Sequence, residues 1–287
     1  MPSTYAHLYF GRRAYPLLPE GVARAVDNNR QLYDIGLHGP DILFYYRPLK
    51  NHPVNQRGYA MHSRPGREFF FSARNIYIAA EDKEAALAYL AGFLCHYTLD
   101  STCHGYVEKK LTVSPLAHTD IENEFDRFLL QKEGRDIFQT DVTAHIVPSA
   151  ENAAVIAAFF PEVSAAQVQT ALKSMKFYCG MICGGGFRGR VAKAVLRIGR
   201  CSEEMCHVVV AENQLPESED SNLRLEKLLE QALKDYAGRI RGYEAYLRGG
   251  SAPTDMEATF GPARGWEEIP VLSVEEERKY DVKINTN

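Results

Sequence analysis

Apolar positions along the chain recur at helical spacing almost throughout, and polar or proline- and glycine-bearing breaks separate them. From Leu18 to Tyr33, Val22, Ala25 and Val26 share one face, and DIGLHGPD at 34–41 supplies the break. Residues 40–46 begin a short helix with Pro40 in its first turn, so that a turn presents Asp41. The polar stretch 47–67 reads as a long loop carrying His52 and His62. Glu68 to Ala80 and Lys83 to Cys103 are long, apolar and free of proline, and the alanine, leucine and tyrosine at 85–97 favour a buried helix over a strand. The second of these is predicted to be the central helix.

An amphipathic helix follows in LAHTDIENEFDRFLLQKEG, with Ile121, Phe125, Phe128 and Leu129 on one side. Pro148–Phe160 and Ala165–Cys183 read as further helices, GGGF at 184–187 as a turn, and 188–200 as a basic amphipathic segment. After LPESEDS a long helix runs to Gly249-Gly250, and the tail from Ser251 is loop-like. β signals are few. The expectation is an all-α protein, with one domain over residues 1–250 and a tail, 251–287, packed on it or partly extended.

Composition narrows the function classes. The 287 residues are 45% hydrophobic, enough for a sizeable core, and the net charge of −4 gives no overall basic field, so a stable nucleic-acid complex is not expected. No apolar run reaches the length of a signal-peptide core at the start or of a membrane span elsewhere, which reads as a cytoplasmic protein. The six cysteines include no CxxC pair and read as reduced thiols.

The chemistry lies inside the predicted central helix. GFLCHYTLDSTCHGYV places His96, Asp100 and His104 four residues apart. An α-helix turns 100° per residue, so residues at that spacing are offset by about 40° and rise roughly 6 Å, sharing one slowly rotating face. His118 and Glu122 repeat the spacing fourteen residues after His104, in HTDIE. A single buried histidine is usually a satisfied core residue. Five such groups on two apolar helices would cost several kcal/mol unless paired or bound to metal, so a metal site is the stronger reading.

The ordered set H-x3-D-x3-H and H-x3-E, preceded by the aspartate of GPD and a loop histidine, resembles the zinc-dependent phospholipase C family of the phospholipase C/P1 nuclease superfamily. That resemblance implies an all-α hydrolase of phosphate esters with its metal cluster between helices. It implies one zinc held by Asp41, His62, His96 and Asp100, and a second held by His104, His118 and Glu122. A third would use His7 and the other oxygen of Asp100, joined in secreted members by the N-terminal amine. This chain begins Met-Pro-Ser-Thr-Tyr-Ala-His, and the Asp100–His104 interval is shorter than the one common in the family, so two ions or three remain open.

Metal-activated water would then attack a phosphate ester, with a phospholipid among the implied substrates and Asp41 assisting as base. A nuclease or nucleotidase of the same superfamily and a catalytically silent metal-binding protein are the alternatives. His62 is preferred to His52 and His38 as the loop ligand because an aromatic run follows it. Glu124 and Asp126 read as helix-surface charges, and His145 and His207 lack ligand-like partners. CSEEMCH at 201–207 matches no familiar site, and GGGFRGR is not a P-loop. The basic residues of 188–200 offer a peripheral contact with anionic lipid, although a solvated helix face is the plainer reading.

Overall fold

A computed structural model of the chain describes residues 4–183, 189–192, 194 and 207–282. The GGGF turn, most of the basic segment 188–200 and CSEEMCH up to Cys206 lie outside the described residues. The described part is all-helical, as the periodicity requires, and its only β feature is an isolated bridge between Pro65 and Thr259.

Its axis is α6, Lys83–Val113, 31 residues long and ten beyond the predicted end. Asp82 starts it by accepting a hydrogen bond from the Ala85 N–H at 2.9 Å, and nothing in the sequence interrupts it before Ser114-Pro115. Because α6 is apolar around much of its circumference, other helices must cover it. These are α1 (Thr4–Ala14), α2 (Glu20–Asn28), α3 (Arg30–Gly36), α5 (Gly66–Ala79) and the 29-residue α10 (Glu219–Leu247). The α3 crossing is close enough to need glycine on both sides. A Cβ at Gly36 would lie 2.4 Å from the Tyr89 carbonyl oxygen, and one at Gly92 would lie 2.2 Å from that of Tyr33. On the opposite flank Tyr236 of α10 donates to the Ala91 carbonyl at 3.2 Å, and Lys110 forms a buried bidentate pair with Asp220 at 2.7 and 2.8 Å.

Two local expectations change. The helix expected over Leu18–Tyr33 is two, broken at Asn29, whose φ of −133° and ψ of 43° leave the helical region. The loop expected over 47–67 contains α4, Pro53–His62. His52 caps it by accepting from the Val54 N–H at 3.2 Å while its own N–H donates to Asn55 Oδ1 at 3.1 Å, and Pro53 fits the first helical position. This reciprocal cap is built from His and Asn, which is why the usual Ser/Thr…Glu pattern did not reveal it.

The described residues also include α7 (His118–Lys132), α8 (Ala150–Ala158), α9 (Ala165–Ile182) and the single turn α11 (Val274–Glu277). The described part of the tail is largely irregular, and its segment 256–261 lies against the start of α5. Arg67 N–H donates to the Met256 carbonyl at 2.8 Å, Gly66 N–H to Ala258 at 2.9 Å, and Gly261 N–H to His62 at 2.9 Å. Met256 and Phe260 are buried by these crossings.

Candidate metal centre

Each candidate group is delivered by a different constraint. Asp41 sits in a short 310 turn, Gly39–Tyr45, that begins at Gly39 with φ of +47°. That conformation suits glycine, and no side chain would fit there in any case, because a Cβ would lie 2.3 Å from His96 Cδ2. His96, Asp100 and His104 rise along one face of α6. His7 comes from α1, with its ring stacked on His96 at 4.4 Å between centroids. His62 ends α4, and His118 and Glu122 open α7.

Two groups of donor atoms result, each within 4.8 Å: His7, Asp41, His96 and Asp100, and His104, His118 and Glu122. Asp100 lies at the centre and uses its oxygens differently. Oδ1 is 3.2 Å from His7 Nε2, whereas Oδ2 is 3.1 Å from His96 Nε2, 3.7 Å from His62 Nε2 and 3.7 Å from His104 Nδ1. Asp41 faces His62 Nε2 at 3.0 Å and His96 Nε2 at 3.6 Å. In the second group Glu122 Oε1 is 3.0 Å from His118 Nε2 and 3.7 Å from His104 Nε2. The structure thus brings His62 to Asp41. His52 is occupied as the cap of α4, and His38 Nε2 meets His145 Nε2 at 2.7 Å.

These groups fit a cation. Both oxygens of Asp41, His96 Nε2 and Asp100 Oδ2 are buried and make no aligned hydrogen bond, although His96 Nε2 lies 3.1 Å from Asp100 Oδ2 and 3.6 Å from Asp41 Oδ2. Lone pairs that converge without hydrogen-bond alignment are what a shared metal ion requires. Two of the imidazoles also have their far nitrogen committed. His62 Nδ1 donates to the Gly58 carbonyl at 2.9 Å and His104 Nδ1 to that of Phe260 at 2.6 Å, leaving Nε2 of each toward the carboxylates.

Electrostatics agree. Burial opposes the Asp100 carboxylate, but the His96, His104 and His7 charges overcome it and hold the carboxyl well below the usual carboxylate range. Burial likewise opposes protonation of His104, yet Asp100 and Glu122 push its imidazole up to about 10. His7 is raised against burial chiefly by Asp100, and His62 chiefly by Asp41. The carboxylates that draw protons onto these rings would draw a divalent cation in their place.

Two acidic residues on α7 correct the sequence reading. Glu124 and Asp126 are buried, not surface charges. Asp126 lies eight residues after His118 on the same helix face, and its two oxygens accept from Tyr5 N–H at 2.8 Å and Ala6 N–H at 2.7 Å. It therefore pins the positive end of α1, the helix that carries His7. Glu124 accepts from Leu215 N–H at 3.2 Å and pairs with Arg127. His145 and His207 also have partners, the latter in Asp120 at 2.8 Å. Glu108 extends the four-residue series of α6 by one step and reaches within 4.0 Å of His118 Nδ1. Continuing the i, i+4 series along both helices would have found Glu108 and Asp126.

A family model described as zinc dependent phospholipase C matches residues 6–173, more than half the chain and all eight candidate ligands. No curated protein and no solved structure matches the chain.

Proposed function

The chain belongs to the zinc-dependent phospholipase C family, a family of phosphodiesterases, and on that premise we propose that it hydrolyses a phospholipid phosphodiester at the cluster centred on Asp100. In this reading Asp41, His62, His96 and Asp100 would hold one zinc ion, and His104, His118 and Glu122 a second. His7 with Asp100 would provide the protein ligands of a third. Zinc bound by these residues would supply Lewis acidity to an attacking water and positive charge to the phosphoryl oxygens.

The chain's own residues do the rest. Asp41, fully buried and facing two imidazoles, accepts the proton of the attacking water. Phe260 closes over His62 and His96, with ring centroids 5.9 Å from each, and keeps bulk water from the cluster floor. His62 and His118 have side chains 20% and 32% exposed, so substrate enters on their side.

One observation supports this reading above the others: the two oxygens of a single buried carboxylate, Asp100, serve separate sets of imidazoles. Metal analysis of Asp100→Ala and His118→Ala proteins is the test. Both should lose zinc relative to the parent, and unchanged zinc in both would sink the assignment. A lipid ester, a simple phosphodiester and single-stranded DNA assayed in parallel separate the lipid reading from a nuclease.

A further inference from the structure

Between Asp41 and Glu68 the chain has five cations, Arg47, Lys50, Arg57, Arg64 and Arg67, and no acidic residue, against the sign of the whole protein. Arg67 pairs with Glu257 and Arg64 approaches Glu68 at 3.6 Å. Among the described residues, Arg47, Lys50 and Arg57 have no ion-pair partner, and Arg47 and Lys50 are exposed, so the charge of these two is available to something outside the chain. The turn between the 310 segment and α4 displays two of them around an apolar tip, with Leu49 55% exposed.

That turn is built to hold its shape. Asn55, buried beneath it, donates its two amide hydrogens to the carbonyls of Lys50 at 2.8 Å and Tyr46 at 3.1 Å, with the Arg47 carbonyl 3.4 Å from the same nitrogen. Arg47 has φ of +51°, a left-handed conformation that is strained for a residue with a Cβ. The two amide hydrogens of one buried side chain, with the Arg47 carbonyl within reach of the same nitrogen, maintain it. The turn also adjoins the site entrance. Tyr59, 47% exposed, stacks on Phe44 at 4.3 Å, and Phe44 lies 5.2 Å from His62.

We infer that the turn Arg47–Lys50, with the exposed face of α4, is the surface by which this protein docks on an anionic phospholipid bilayer. Leu49 enters the interfacial region while Arg47 and Lys50 meet lipid phosphates, an arrangement in which an aliphatic tip and flanking cations are both used. A polynucleotide would use the cations but leaves Leu49 without a role, since an aliphatic side chain offers no stacking face. The inference rests on the phospholipid reading and deepens it, because it places the entrance beside His62 against the substrate's surface. The lipid contact expected over 188–200 is a separate segment.

The test uses zinc-loaded protein with two kinds of vesicle, phosphatidylcholine alone and phosphatidylcholine with ~30% phosphatidylglycerol, at low and physiological salt. The parent protein should co-sediment with the anionic vesicles and be released by salt. Each cation near such a surface contributes roughly five-fold in affinity, so Arg47→Glu/Lys50→Glu should weaken binding by at least about 25-fold. Leu49→Asp should weaken it independently. Lys234→Glu/Arg241→Glu, an equal change of charge on α10, should bind like the parent.

A soluble short-chain phosphodiester separates docking from chemistry, since all these variants should hydrolyse it at the parental rate. If the parent ignores anionic vesicles, if the turn variants bind as well as the parent, or if single-stranded DNA competes for the turn better than vesicles do, the inference is overturned. Turn-dependent vesicle binding with no hydrolysis of any ester would leave docking standing and refute the catalytic reading instead.

Discussion

His104 Nδ1 donates a 2.6 Å hydrogen bond to the carbonyl oxygen of Phe260, 156 residues further along the chain. The acceptor belongs to the C-terminal tail, outside the region the family model matches. A carbonyl can only accept, so this bond fixes the proton on Nδ1 and turns Nε2 toward Glu122. Removing the chain after Gly250 should therefore lower zinc affinity at the His104, His118 and Glu122 group by about 10–100-fold. Competition with a calibrated chelator measures it, with circular dichroism to establish that the truncated protein is still helical. Phe260→Ala, which leaves the backbone in place, should have a smaller effect in the same direction. Unaltered affinity in a folded truncated protein would show that the strap does not orient His104.

Asp100 should be the least replaceable member of the cluster. Asp100→Asn keeps the size of the side chain but removes the charge that both sets of imidazoles share. It should release more metal per chain than His7→Ala or His62→Ala, and hydrolysis should fall further as well. Elemental analysis of the three proteins, purified in parallel, gives the ranking, and a full metal complement in Asp100→Asn contradicts the proposed bridging role.

Gly39→Ala tests the floor of the site without replacing a proposed ligand. The new Cβ would meet the His96 ring at 2.3 Å, and the residue would keep φ near +47°. Displacement of the ring and backbone strain together should cost roughly 1–3 kcal/mol of stability and reduce metal content. Chemical denaturation reads the first and metal analysis the second. A variant with parental stability and zinc would mean that His96 can move aside freely.

Acid sensitivity should arise in part outside the metal cluster, at the His38–His145 pair. Burial, then the neighbouring His145, His7 and His96, lowers His38 well below its ordinary value, and burial with Arg12 and Lys176 pushes His145 down to about 3. Both rings stay neutral in the fold while the unfolded chain takes up protons below about pH 6.5. Their contribution to stability is therefore complete above pH 6.5 and is lost as pH falls toward 3, by up to about 1.4 kcal/mol per pH unit for the fully buried His38 and by less for the partly buried His145. Unfolding free energies of the parent and His145→Gln between pH 7 and 4 check this. The variant should have the shallower slope, and parallel slopes would exclude the pair as a source of acid lability.

How much of this was legible depends on the range of each interaction. The central helix, His96, Asp100 and His104 on one face of it, and the His118–Glu122 pair could all be read directly, because four-residue spacing fixes angular position within a helix whatever surrounds it. Asp41 and His62 were reached only through the order of motifs along the chain. A turn aspartate has no periodicity to mark it, and α4 was concealed because its cap is a His–Asn pair. Asp126 was misplaced although its spacing from His118 was visible. Its role depends on the amides of Tyr5 and Ala6, and nothing within α7 indicates that α1 begins against it.

The sequence alone determined the helical class, the ligand series on α6 and α7, and the likeness that the family match then established, because periodicity and local order are properties of the chain itself. Tertiary structure decided which loop histidine faces Asp41, how the oxygens of Asp100 are divided, and that the tail crosses the site to hold His104. Those choices turn on approaches of a few ångströms between segments up to 156 residues apart, which only the packing of helices around α6 brings about.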